Sequence, residues 1–82
     1  MLVEEYISQR KSELARRIKD ARVKHGQTQE QVAAYLHCSR KRINRAEQGA
    51  IQLTTPELEL LTKFFNLPLN YFFQLPPENA DV

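Results

Sequence analysis

Apolar residues recur along this chain at spacings of three and four rather than in strict alternation, and Gly26 and Gly49 are its only glycines. That periodicity predicts helices and no strands, five helices in all. The first takes its apolar stripe from Val3, Tyr6 or Ile7, Leu14, Ile18 and Ala21; it starts as early as Leu2 and ends at Gly26 as a C-terminal cap. Polar Ser8 to Ser12 thins the stripe. Residues 1–13 are therefore expected as an N-terminal extension of this helix, continuous with it or set apart from it.

The second helix is expected to begin at Thr28, with Gln31 three residues on completing a capping box, to bury Val32, Ala33 and Leu36, and to stop at His37-Cys38. Ser39 is the natural N-cap of a third helix running from Arg40 to Gln48 and closed by Gly49. Only Ile43 and Ala46 are apolar in it. Thr54 and Glu57 form a second capping box at the head of the fourth helix, with Leu53 and Leu58 as a hydrophobic staple and Pro56 tolerated in the first turn. This helix should bury Leu58, Leu61, Phe64 and Phe65 and break at Asn66-Leu67-Pro68. A short fifth helix, Leu69 to Phe73, is expected to close the core with Phe72 and Phe73. Residues 74–82, with Pro76-Pro77, read as a flexible tail.

Composition narrows the class. A chain of 82 residues with one cysteine, Cys38, has no intrachain disulfide. With only His25 and His37 beside it, no structural zinc site is expected, so apolar packing must hold the fold. No apolar run is long enough to span a bilayer and the N-terminus lacks the basic and apolar regions of a secretion signal, which implies a cytoplasmic location. Residues 10–45 carry eleven Lys or Arg against three acids, while the rest of the chain is net acidic. One side of the molecule is thus expected to face a polyanion.

The second and third helices, joined by a three-residue turn, have the size and order of a helix-turn-helix unit. With Val32, Ala33, Leu36 and Ile43 turned inward, the third helix projects Arg40, Lys41, Asn44 and Arg45 from two successive turns. A helix fits a DNA major groove, where Arg can pair with guanine, Asn with adenine, and Lys with bases or phosphates. The expected base readers are Arg40, Lys41, Asn44 and Arg45, and Ser39 and Arg42 are expected at phosphates.

From Leu14 to Phe73 the chain resembles the Cro/CI-type helix-turn-helix domains of phage repressors, also called the xenobiotic-response-element family. Arg22, the run Gly26-Gln27-Thr28-Gln29-Glu30-Gln31-Val32-Ala33, the turn ending Cys38-Ser39, Ile43 with Glu47-Gln48-Gly49, and Phe65-Asn66-Leu67-Pro68-Leu69 leading to Phe72-Phe73 carry the resemblance, in order and in register. It implies an all-α, compact five-helix repressor-like domain over residues 14–73. It also implies phosphate contacts by Gln29 and Gln48, base contacts by Arg40, Lys41 and Arg45, and an ion pair between Arg22 and Glu47 that fixes the third helix on the scaffold. Two departures stand out. His37 replaces the glycine usual in the turn, where positive φ is uncommon for other residues. Ala46 is smaller than the usual aliphatic residue, leaving room for a phenylalanine of the fourth or fifth helix.

The expected function is sequence-specific binding of double-stranded DNA for transcriptional control, as a repressor and as a homodimer on half-sites about 34 Å apart. Two other readings share the fold. One is an antitoxin or partner-binding module that also binds its own promoter; the other is the DNA-binding part of a longer regulator with a further domain beyond Pro76-Pro77. Tyr6 and Ile7, or the apolar run from Leu67 to Leu75, are candidates for a dimer surface. Cys38 reads as a small buried hydrophobe and both histidines as turn residues. No nucleophile with a base, phosphate loop or metal spacing is present, so neither catalysis nor a cofactor is expected, and Glu57 and Glu59 are helix-start charges rather than a catalytic pair.

Overall fold

A computed structural model describes residues 2–68 and 70–73. The chain forms α1 (Val3–Lys24), α2 (Gln29–Leu36), α3 (Arg40–Glu47) and α4 (Thr55–Phe64), followed by a single 3-10 turn, Tyr71–Phe73. Both capping boxes form: Thr28 accepts from the Gln31 amide at 3.0 Å and Thr54 from the Glu57 amide at 3.3 Å, while each Gln31 and Glu57 side chain accepts from the cap backbone at 2.8 Å. Ser39 caps α3 through Arg42 N at 3.1 Å.

All four helices end in the same way. The two amides beyond each helix turn back onto its last carbonyls, as in Gln27 N to Arg22 O and Gly26 N to Val23 O, and likewise from Cys38 and His37, Ala50 and Gly49, and Leu67 and Asn66. The reversal needs one left-handed residue per helix, supplied by Gly26, His37, Gly49 and Asn66 at φ of 65°, 56°, 78° and 54°. His37 is thus held where a Cβ is disfavoured.

One core joins Ile18 and Ala21 of α1, Val32 and Ala33 of α2, Ile43 and Ala46 of α3, Leu53, and Leu58, Leu61 and Phe65 of α4, with Phe72 of the last turn. Leu53 and Leu58, the expected staple pair, are both buried, and large Phe65 and Phe72 share the cluster with small Ala46. Phe64 is only half-buried and stacks on Tyr35 at 4.3 Å, tying α4 to α2.

Three expectations are corrected. Among the described residues there are four α-helices rather than five, because the described part of the segment after Pro68 closes i to i+3 bonds, Tyr71 N to Pro68 O and Phe73 N to Asn70 O at 3.0 Å. So short a segment has too few residues to repay an α-helical nucleus. Phe72 is fully buried there, but Phe73 is exposed. At the other end, α1 runs unbroken through Ser8 to Ser12, yet Val3, Tyr6 and Ile7 are 73%, 45% and 46% exposed. A helix of 22 residues outreaches three neighbours of 8 to 10 residues, so among the described residues its first turns lie beyond the core. Leu69 and the tail, residues 74–82, lie outside the described residues.

Candidate nucleic-acid interface

Beneath α3 lies a polar network that holds it. Arg22 of α1 grips Glu47 with two bonds, Nε to Oε2 at 2.6 Å and Nη2 to Oε1 at 3.0 Å, and donates Nη1 to the Gln27 carbonyl at 3.0 Å. The two side chains are 15% and 3% exposed, and the paired carboxylate raises the pKa of Arg22. Gln29 joins the network through Nε2, which donates to Glu47 Oε1 at 3.1 Å and to Asn44 Oδ1 at 3.2 Å. A carboxylate only accepts, so the amide group of Gln29 facing Glu47 must be its NH2. Both of its N–H bonds are then used within the domain.

A second clamp holds the start of α3. Arg42 meets Glu57 of α4 with Nη2 to Oε1 at 2.7 Å and Nε to Oε2 at 3.1 Å. The same carboxylate accepts from the Thr54 amide, so Glu57 completes a cap and a cross-helix ion pair at once. Its hydrogen bond with Arg42, and then those with Thr54, hold its pKa below the ordinary carboxylate value against the opposing effect of burial. Cys38 is half-buried next to this clamp, and burial, reinforced by Glu57, pushes its thiol up. It is a small apolar group in the turn.

The outward face of α3 presents what remains. Ser39, Arg40, Lys41, Arg45 and Gln48 are exposed, whereas Gln29, Arg42 and Asn44 are half-buried by the contacts just described. Arg40 reaches Glu30 at 3.4 Å, but the two side chains are 59% and 69% exposed. Such a pair is weak and leaves Arg40 available to a ligand. The expected site residues therefore fall into two sets. Arg40, Lys41 and Arg45 with Ser39 and Gln48 form a cationic rim, while Gln29, Asn44 and Arg42 form its support.

Two supports escape sequence reasoning. Arg17 is buried, bonded to Glu13 at 2.9 Å and, through Nη1, to the Tyr71 carbonyl at 2.9 Å, which pins the last turn to α1. The Glu13 to Arg17 spacing of four was a visible signal, but the link to Tyr71 was not. The Arg42 to Glu57 clamp was hidden because Glu57 already had a local role as a capping residue. Between Lys11 of α1 and the loop Gly49 to Gln52 lies a cleft of about 150 Å³, which places the middle of α1 beside the C-terminal end of α3. Among the described residues no cluster of ligating side chains could hold a metal, and no helix is long and apolar enough to cross a membrane.

The sequence profile of the HTH_3 family, described as helix-turn-helix, matches residues 18–72. An HTH_3 family transcriptional regulator from Vibrio cholerae shares the fold at 21% identity and a TM-score of 0.69, over 80% of this chain and 37% of that one. A hypothetical transcription factor, NHTF, from Neisseria does so at 20% identity and a TM-score of 0.71, over 85% of this chain and 79% of that one. The chain thus spans little more than a third of the Vibrio cholerae protein. No curated protein matches it significantly.

Proposed function

This chain belongs to the HTH_3 helix-turn-helix family, and on that footing we propose that it binds double-stranded DNA sequence-specifically as a transcriptional repressor, α3 lying in the major groove. The observation that carries this reading is the division of α3 into a clamped inner side and an exposed cationic rim. Arg22 and Glu57 hold the helix from two different elements, so Arg40, Lys41 and Arg45 project from a fixed base. A reader whose scaffold is already ordered loses less entropy on binding.

Arg40, Lys41 and Arg45 read base edges, and Asn44 reads through Nδ2, since its Oδ1 already accepts from Gln29. Gln29, Ser39 and Gln48 set the register on phosphates. For Gln29 the donor is the backbone N–H, which stands in the first turn of α2 without an intrahelical acceptor. For Ser39 it is the hydroxyl proton, because the cap uses only an oxygen lone pair. Arg42 keeps Nη1 to offer a phosphate, but Glu57 neutralises its charge. The domain acts as a homodimer on a two-fold operator.

Selection of bound sequences from a random DNA pool tests the reading; a palindromic motif is expected. Failure to enrich any motif would turn the reading towards a module that binds a protein partner. On the selected site, Arg40→Ala should lose about 1–3 kcal/mol of discrimination at one base pair. Arg42→Ala should instead lower affinity across all sequences without a loss confined to one base pair, because it releases one clamp of α3 and leaves the Glu57 carboxylate uncompensated. Equal losses of discrimination from both would refute the assignment.

A further inference from the structure

We propose that Glu30 of α2 is the positioning residue that gives Arg40 its specificity: its carboxylate holds the guanidinium back from DNA phosphates and aims it at a guanine. The inference deepens the operator-binding reading above and rests on it. Arg40, Lys41 and Arg45 all stand exposed on the rim of α3, but they are not equivalent. Arg40 meets Glu30 through Nε at 3.4 Å, across the turn between α2 and α3. Lys41 and Arg45 enter no ion pair among the described residues. Glu47 and Glu57 are already taken by Arg22 and Arg42, so Glu30 is the acid that stays beside the rim, with 69% of its side chain exposed.

A carboxylate on this face repels a polyanion and lowers affinity for every sequence. Its effect on sequence preference follows from where Arg40 can go. In the free domain water screens the pair and Arg40 exchanges partners. Docking of α3 excludes that water and leaves the guanidinium three acceptors: a phosphate, a base edge and Glu30. Glu30 cannot follow Arg40 to a phosphate, because two anions would then share one cation in a medium of reduced dielectric. It can follow Arg40 to a guanine, whose O6 and N7 accept hydrogen bonds without carrying a net charge.

The approach through Nε suits the guanine. Neither Nη1 nor Nη2 of Arg40 donates a hydrogen bond among the described residues, so the fork that pairs bidentately with O6 and N7 stays open. Lys41 and Arg45, without an acid beside them, carry no such bias. An acid in the first turn of α2 also suits the helix macrodipole. That role needs only the charge, whereas holding Arg40 needs the length of a glutamate as well, and the two are separable.

The test compares the full parent chain with Glu30→Asp and Glu30→Gln on the selected operator and on a mixed-sequence duplex, each across a salt titration. Aspartate keeps the charge but is one methylene short of Arg40. Both variants should lose discrimination about fivefold at one base pair, a G·C pair and the same one that Arg40→Ala affects. Glu30→Gln should also bind mixed-sequence DNA more tightly, with a salt slope steeper by about 0.9 as Arg40 gains a phosphate. In an Arg40→Ala background neither substitution should alter discrimination at that pair. Thermal melts should stay close to the parent's, since so exposed a pair adds little stability. Discrimination equal to the parent's in Glu30→Asp would mean that charge alone matters and would overturn the proposal. So would a fall in discrimination that persists without Arg40, or an Arg40 site other than G·C. A motif selected unchanged by the Glu30 variants would leave operator binding standing and remove only this assignment, whereas no motif from the parent would remove both.

Discussion

Two arginine–glutamate pairs flank the recognition helix, and they share chemistry but not consequence. Arg22 and Glu47 meet bidentately at 2.6 and 3.0 Å below α3, almost sealed from water. Arg40 and Glu30 meet at 3.4 Å above it, with more than half of each side chain in solvent. Inside, water cannot replace a lost partner, so the pair behaves as a structural pin. Outside, water screens the attraction and both groups stay free to exchange partners. The difference shows why charge density alone is a poor guide to a binding face: burial sorts cations that hold the fold from cations left open to solvent and to a ligand.

The largest effect that could break this comparison comes from Glu47→Ala. It strands the Arg22 guanidinium and removes an acceptor from Gln29, and should cost about 3 kcal/mol, read as a fall in the urea midpoint. A loss no larger than that of a surface residue would mean the inner pair is not a pin. Acid should expose the intermediate case, the Arg42 to Glu57 clamp. Because the folded state holds the Glu57 pKa down, its contribution is full above the unfolded value near 4.5 and fades as pH falls through the lower folded value. Wild type should therefore lose urea resistance in that window, and Glu57→Gln should lose less across it while starting weaker at neutral pH.

A smaller change separates stability from recognition. His37→Gly relieves a left-handed residue without touching either pair, so the melting temperature should rise by the equivalent of about 0.5–1 kcal/mol with operator affinity unaltered. An unchanged or lower melting temperature would show that the turn is not strained. Glu30→Ala should do least, shifting stability by no more than about 0.5 kcal/mol. A drop as large as that of Glu47→Ala would erase the distinction between the two sides.

Much of this division was readable in advance, for identifiable reasons. Caps are local, so Thr28 with Gln31, Ser39, and Thr54 with Glu57 mark helix starts in the sequence to within a residue. The resemblance to the family also implies the pairing of Arg22 with Glu47. The apolar stripe misled at both ends of the chain. Val3, Tyr6 and Ile7 keep the helical period but outrun the core, and the segment around Phe72 and Phe73 has the apolar content of a helix without its length. Periodicity reports which side of a helix is apolar, not whether anything lies against it.

Sequence by itself therefore determined the helix boundaries of the reading unit, its left-handed stops and its excess of cations, since each depends on residues within a turn or two of one another. Only the tertiary structure decided which cations are spent. Arg17 goes to the Tyr71 carbonyl, Arg22 to Glu47 and Arg42 to Glu57, each but the family-signalled Arg22 unannounced across helices, while Arg40, Lys41 and Arg45 stay at the rim. Ion pairing falls off over a few ångströms and depends on exposure, and both are set by how helices distant in sequence come to lie side by side.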